Sequence, residues 1–136
     1  MDATYFMGID TGTNSSKGVI IDEDCNVVAC CSTQHTMTNP KPNHFEHDAE
    51  KDWWGDFCRI SQGLLKKSGI DPVQIKAVGL SALGADCLPV DEQCRPLRKA
   101  ILYGIDARAG KEIEQLTSLY GPCLLYTSDA ADDLTR

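Results

Sequence analysis

The sequence predicts an α/β fold, in which an antiparallel three-strand meander belongs to a mixed sheet with helices against it. Three observations support this prediction. Three short apolar segments are separated by turn residues, a long amphipathic helical pattern follows them, and another apolar strand follows the helix. At 136 residues the chain has the length of one compact domain.

The strands are predicted from short apolar runs bounded by small polar, acidic or glycine residues. They are expected at residues 5–10, 17–21, 27–31, 75–81 and 87–90, with an extended segment at 100–105. Prolines 40 and 42 mark the segment 36–45 as a loop.

Two helices are predicted. Asp48 is the expected N-cap of the first, which runs to about Lys67, and Gly69 is its C-cap signal. Its apolar face contains Trp53, Phe57, Ile60 and Leu64 at helical spacing. We expect Trp53 to be a core residue, and the second helix to span 107–120.

Composition limits the range of partners. The formal net charge is −7 and no basic cluster offsets it, so neither nucleic acid nor an anionic membrane is an expected partner. The start of the chain lacks the features of a secretory signal, and no run approaches the roughly 18 apolar residues of a membrane span. A cytoplasmic protein is expected, with its seven Cys reduced and mostly buried.

The segment from Gly8 to Lys17 is chemically the most informative. A buried strand ends in Asp10, and a turn around Gly12 leads to a returning strand that begins with Lys17. Gly12 permits positive φ and a close phosphate, and successive amides of such a turn form an anion-binding nest. Hydroxyls and Lys17 suit phosphate oxygens, and Asp10 suits Mg²⁺ held through water. The predicted phosphate-binding residues are Asp10, Thr11, Gly12, Thr13, Ser15, Ser16 and Lys17, with Asp10 as the metal ligand.

Two other interpretations of this segment stay open from the residues alone. Asp-Thr-Gly-Thr also forms a hairpin turn that binds nothing. An apolar pair followed by Asp-Thr-Gly is also how retropepsin-like aspartic proteases present a catalytic carboxylate, and a homodimer would take Asp10 from each chain. The long helix with its Trp residues has no place in such a small β-rich protease.

Four blocks, in order over about residues 5 to 120, resemble the N-terminal domain of the FGGY carbohydrate kinases, above all the xylulokinase-like members. They are Met7–Thr13 with Ser15, Ser16 and Lys17; Glu46–Glu50 with Trp53 and Trp54; Ala77–Ser81 with Leu88–Asp91; and Pro96–Arg108. The resemblance implies an incomplete ribonuclease-H-like domain of the actin-like ATPase fold. It also implies a kinase that uses ATP and Mg²⁺ to phosphorylate a sugar or polyol hydroxyl.

The family resemblance also assigns roles around the substrate. Asp106 would accept hydrogen bonds from sugar hydroxyls, Arg108 would donate them, and Ala85 and Asp86 would lie beside the sugar. Many xylulokinases carry Gln-Met-His-Gly where this chain has Leu83–Asp86, and Trp is common where Tyr103 stands. Because the Met and His that contact the sugar there are missing, the sugar itself is not predicted.

The resemblance places the general base and the adenosine site in a second domain. Residues 1–122 are therefore expected to be inactive without that missing C-terminal domain. Residues 123–136 resemble a translated sequencing adapter and are expected to be non-native. The other hypothesis retained is a non-enzymatic actin-like nucleotide-binding module, which would not need Asp106 and Arg108 to face one cleft. His44 and His47 are expected to be solvated or to cap a helix.

Overall fold

A computed structural model describes residues 3–121, which form six β-strands and two α-helices. These are β1 Tyr5–Thr11, β2 Ser15–Asp22, β3 Val27–Gln34, β4 Glu46–His47, α1 Gly55–Ser68, β5 Ile75–Ala82, β6 Ala100–Ile101 and α2 Gly110–Tyr120. A π-helical turn, Ala49–Trp54, leads into α1, and a 3₁₀ turn, Pro72–Gln74, precedes β5. The chain divides after Asp106 into two compact units, and α2 is in the second.

The main sheet has four strands in the order β3-β2-β1-β5. The first three strands form the predicted antiparallel meander, and β5 pairs in parallel with β1 after the connection through α1. The mixed sheet predicted from the order of elements is confirmed. A small second sheet pairs β4 with β6 in antiparallel orientation.

One face of the main sheet packs against α1. Ile60 and Leu64 of α1 are fully buried against Met7, Ile9 and Ile20 of the sheet. The predicted N-cap, Asp48, caps the π-helical turn that leads into α1, where its carboxylate accepts the Lys51 amide, and the predicted C-cap, Gly69, ends α1 in the left-handed conformation at φ 69°. Burial of this apolar stripe, rather than propensity, supplies most of the helix's stability.

Two glycines allow α1 to approach the sheet closely. A Cβ on Gly18 would lie 2.4 Å from the Cγ2 atom of Ile60 and 3.0 Å from Leu64 Cδ1. A Cβ on Gly63 of the helix would lie 2.7 Å from the sulfur of Cys31. Because real Cβ atoms do not approach other atoms so closely, both positions are fixed as glycine by packing.

Three sequence predictions about local structure are wrong. Residues 87–90 form no strand; they make only isolated bridges, Cys87 to Ile101 and Val90 to Pro96. Pro89 and Pro96 lack an N–H, so this segment cannot build a continuous ladder. The segment 100–105 is extended only at β6 and then turns, and α2 begins at Gly110 rather than at residue 107.

The cysteines and the helices add two observations. The six Cys within the described residues are free, but Cys25, Cys30, Cys87 and Cys94 are exposed, so the expectation that most are buried is wrong. Within residues 3–121 no helix is long and apolar enough to span a bilayer. The predicted boundary at residue 122 and the tail 123–136 lie outside the described residues.

Candidate functional site

The ends of β1 and β2 place Asp10 and Lys17 side by side on the open face of the sheet. Asp10 on β1 is paired with Lys17 on β2. On their other sides, Asp10 is paired with Ser81 on β5, and Lys17 is paired with Ser32 on β3. Met7 and Ile9 point toward α1, so Asp10 points away from it, because successive residues of a strand face opposite sides. Asp10 and Lys17 are both exposed, and neither makes an ion pair within the described part of the chain.

A shallow cavity covers this open face. Its volume is about 910 Å³; the polar residues that line it are Asp10, Lys17, Ser32, Lys67 and Ser81, and the rest of its lining is glycine, cysteine and aliphatic residues. A Cβ atom added at Gly79 would have no other atom within 4 Å, so the floor of the cavity is bare backbone at this residue. A ligand in this cavity would have one carboxylate, two ammonium groups and two hydroxyls among the residues around it.

The turn between β1 and β2 directs its carbonyl groups toward the protein. Gly12 O lies 2.9 Å from His35 Nε2, Thr13 O lies 2.9 Å from His47 Nε2, and Asn14 O accepts the His35 amide at 3.1 Å. Among residues 3–121, no protein group accepts a hydrogen bond from the Thr13 or Asn14 amide. Outward amides beside an ammonium group form the kind of concavity that binds anions.

Gly12 has a steric role in this turn. Its φ is not positive, contrary to the conformational freedom expected from the sequence. A Cβ at this position would instead lie 3.1 Å from the Ser15 carbonyl oxygen, which accepts the Gly12 amide at 3.0 Å. Glycine thus avoids a close contact in this tight turn and does not supply an unusual backbone angle.

A buried polar network lies beneath the turn. Asp56 of α1 is fully buried and accepts hydrogen bonds from Ser16 Oγ at 2.7 Å, from His35 Nδ1 at 2.7 Å and from Arg59. Burial acts to raise the pKa of the Asp56 carboxyl, but these three donors outweigh it and lower that pKa. The carboxylate therefore stays ionised at neutral pH.

His47 belongs to the same region. Its side chain is fully buried, its Nδ1 accepts the Trp53 indole N–H at 3.1 Å, and its ring lies edge-on to that of His35 with centroids 4.9 Å apart. Burial is the largest effect lowering the pKa of His47, and the nearby His35 lowers it further. The sequence prediction of a solvated or capping role for His47 is wrong, because the ring supports the turn from inside.

The predicted phosphate-binding residues therefore divide between two faces. Asp10, Ser15 and Lys17 are on the open face, and the turn residues Gly12 and Thr13 lie between the strands. Thr11 and Ser16 pair with each other on the face toward α1. Ser16 is fully buried and its hydroxyl donates to Asp56, so it cannot contact a ligand on the open face. The prediction that Ser16 binds phosphate is therefore wrong.

The predicted sugar-binding residues are only partly brought together. Asp86 Oδ1 accepts the Tyr103 amide at 2.7 Å, which places Asp86 against the turn that leads to Asp106. Asp106 Oδ2 accepts the Phe45 amide at 2.6 Å. Ala85 has a positive φ of 59°, which orients the loop before Asp86. Arg108 is half-buried in the turn before α2 and belongs to the second compact unit.

His35 and Asp56 are the site residues that the sequence interpretation missed. A usable signal was present for Asp56, which precedes the buried Ile60 by four residues and so shares its helical face. An acid on a buried face requires partners. Counting alternate residues back from Ile20 would likewise have placed Ser16 on the buried face of β2.

Solved structures with the same fold define the class of this domain. A ligand-bound xylulose kinase from Lactobacillus acidophilus superposes with a TM-score of 0.80 at 22% identity, over 91% of this chain and 24% of that one. A glycerol kinase from Plasmodium falciparum, crystallised with ADP, gives 0.75 at 24% identity, over 87% of this chain and 24% of that one. The domain has the actin-like ATPase fold of sugar kinases, as predicted.

Sequence comparison identifies the family. The profile of the FGGY family of carbohydrate kinases, N-terminal domain, matches residues 5–128, and the chain belongs to this family. A glycerol kinase from Acaryochloris marina is 33% identical over 115 residues, which are 84% of this chain and 22% of that protein. A probable L-xylulose kinase from Haemophilus influenzae is 33% identical over 106 residues, 77% of this chain and 21% of that protein. The chain thus spans about a fifth of the length of these relatives.

Proposed function

We propose that this chain is the phosphate-binding part of an ATP-dependent kinase that transfers the γ-phosphoryl group to a hydroxyl of a sugar or polyol. The observation that carries the proposal is the β1–β2 turn, whose Thr13 and Asn14 amides are unpaired within the described residues and which joins the strand ends that hold Asp10 and Lys17. Family membership favours this chemistry over a protease or a binding module without enzymatic activity.

The groups on the open face match the needs of phosphoryl transfer, which depends on positioning and charge neutralisation. The Lys17 ammonium group would offset negative charge on the transferred phosphoryl group, and the outward amides would hold phosphate oxygens. Mg²⁺ keeps several of its waters and needs only one or two carboxylates from a protein. Exposed Asp10, which makes no ion pair within the described residues, fits that requirement, so we assign it to the metal.

A buried acceptor supports the substrate part of the proposal. Asp86 Oδ2 is buried and has no hydrogen-bond partner within the described residues, while Oδ1 is held by the Tyr103 amide. An unpaired buried acceptor costs about 1–3 kcal/mol, and a donor from a ligand would recover that cost once a local movement of the loop brings it within reach of this buried atom. A sugar or polyol hydroxyl is such a donor. We keep Asp106 and Ala85 as further members of the proposed substrate site, and we keep Arg108, in the second unit, as a separate sugar-binding prediction.

The remaining components of the enzyme are assigned outside this chain. Because the chain spans about a fifth of the length of its relatives, we place the general base and the adenosine site in a further domain, which would be its principal partner. Because these relatives are a glycerol kinase and a probable L-xylulose kinase, glycerol and L-xylulose are the first substrates to assay. Residues 1–136 alone are expected to show no kinase activity.

The test is a coupled ADP-release assay on the protein extended by its natural continuation to the length of its relatives. We expect ATP consumption that depends on the added polyol or sugar, and a fall of about 10²-fold in kcat/KM for ATP in Lys17→Met. Lys66→Met, at an exposed position on α1, is the matched control and should retain full activity. Equal activity in the two variants, or no substrate-dependent ATP consumption, would contradict the proposal.

A further inference from the structure

We propose that His35 and His47 are positioning residues that hold the carbonyl groups of Gly12 and Thr13 inward, so that the next two amides face the nucleotide phosphates. This inference rests on the proposed function. It assigns the two imidazole rings to the conformation of the turn and gives neither ring contact with the substrate.

The geometry of the peptide group links the two inward carbonyls to the two outward amides. In a trans peptide, the C=O of one residue and the N–H of the next lie in one plane and point in opposite directions. The carbonyl of Gly12 shares its peptide with the Thr13 amide, and the carbonyl of Thr13 shares its peptide with the Asn14 amide. Each imidazole that anchors a carbonyl therefore also orients one anion-binding amide.

The partners of His35 determine its charge. One ring nitrogen faces the Asp56 carboxylate at 2.7 Å and the other faces the Gly12 carbonyl at 2.9 Å. Both partners are acceptors, so both nitrogens must carry hydrogen to make these two bonds. Together these two bonds require the imidazolium form of His35 beside the Asp56 carboxylate.

His47 has the opposite requirement. Its Nδ1 receives the Trp53 indole N–H, which can only donate, while its Nε2 faces the Thr13 carbonyl, which can only accept. The ring is therefore neutral with its single hydrogen on Nε2. Two adjacent rings thus differ in charge, and this avoids repulsion between two buried cations.

This difference in charge predicts different results for the two glutamine variants. In His47→Gln the side-chain amide can donate to the Thr13 carbonyl and its oxygen can accept from Trp53, so the conformation of the turn should be retained. In His35→Gln the amide can replace only one of two donated bonds, and its oxygen would face the Asp56 carboxylate. Glutamine should therefore rescue position 47 but not position 35.

The experiment uses the 136-residue chain with ¹⁵N-labelled histidine, and inorganic tripolyphosphate with Mg²⁺ as the probe. In the wild-type spectrum we expect both ring nitrogens of His35 and only Nε2 of His47 to carry hydrogen. His47→Phe should weaken tripolyphosphate binding about tenfold, the loss expected for one anchoring hydrogen bond, and should shift the Thr13 and Asn14 amide resonances. His47→Gln should restore both properties, and His35→Gln should not.

The possible results separate this inference from the proposed function. Absence of tripolyphosphate binding to the wild-type chain counts against the phosphate role, while the ring spectra and the amide shifts still test the two histidines. The inference is overturned by a His35 ring that carries hydrogen on only one nitrogen, by unchanged Thr13 and Asn14 amide shifts in His47→Phe, or by equal behaviour of the two glutamine variants. If His47→Phe does not fold, the wild-type ring spectra and His47→Gln decide the question.

Discussion

Replacement of Asp56 by alanine tests the network beneath the phosphate turn. Asp56 is fully buried and accepts hydrogen bonds from Ser16, His35 and Arg59. Its removal leaves the buried Ser16 hydroxyl and the Nδ1 atom of His35 without their hydrogen-bond partner, whereas Arg59 is half-exposed and can bind water. Breaking a buried charge pair costs about 3–5 kcal/mol, which is a large part of the roughly 5–15 kcal/mol that stabilises a typical domain.

Urea unfolding of the 136-residue chain, followed by tryptophan fluorescence, measures this effect. With a slope of about 1.5 kcal/mol per molar urea, the midpoint for Asp56→Ala should fall by about 2 M or more. Asp56→Asn should lose less stability, because its amide can donate to a neutral His35 that still bonds Gly12. Asp24→Ala, at an exposed position, should stay within about 0.5 kcal/mol of the wild type. Equal stability of Asp56→Ala and Asp24→Ala would refute the reasoning.

Two further predictions concern packing and pH. Gly18→Ala should destabilise the chain by about 1–3 kcal/mol in the same urea assay, because its Cβ would lie 2.4 Å from Ile60. The control is Gly79→Ala, whose Cβ would lie in open space and should leave the free energy of unfolding unchanged. Equal effects of the two substitutions would count against the described packing of α1. The pKa of His47 is lowered in the folded state, so below about pH 6.5 the unfolded chain binds a proton that the folded chain does not, and the free energy of unfolding should decrease with falling pH. Below about pH 3.9 the lowered pKa of Asp56 should remove further stability in the same sense. His47→Gln should abolish the first decrease but not the second, and an unchanged profile would contradict the assigned neutral ring.

The architecture can be predicted from the sequence because the local sequence patterns of β1, β2, β3, β5 and α1 agree with the tertiary packing of these elements. The stripe that includes Ile60 and Leu64, the cap at Asp48 and the left-handed Gly69 all appear where the pattern indicates them. Patterns were less informative after β5, where Pro89 and Pro96 interrupt the ladder and pairing is reduced to isolated bridges. In that segment, contacts between distant residues determine the conformation, and these leave no periodic signal.

The candidate site was predictable in its chemistry and less so in its geometry. Asp10 and Lys17 stand on one face as the hairpin requires, because residues paired across two strands point to the same side. The hydroxyl of Ser16 suggests the same role as its neighbours, whereas strand alternation turns Ser16 to the other face. His35 and His47 lie 12 residues apart in sequence and meet only because β3 and β4 both end beneath the turn.

A crystal structure of the extended protein with Mg²⁺ and a non-hydrolysable ATP analogue tests the central claim most directly. We predict phosphate oxygens within hydrogen-bonding distance of the Thr13 and Asn14 amides, with Lys17 beside the terminal phosphate and Asp10 on the metal side. Phosphates bound elsewhere, or a turn whose Gly12 and Thr13 carbonyls face the nucleotide, would contradict it.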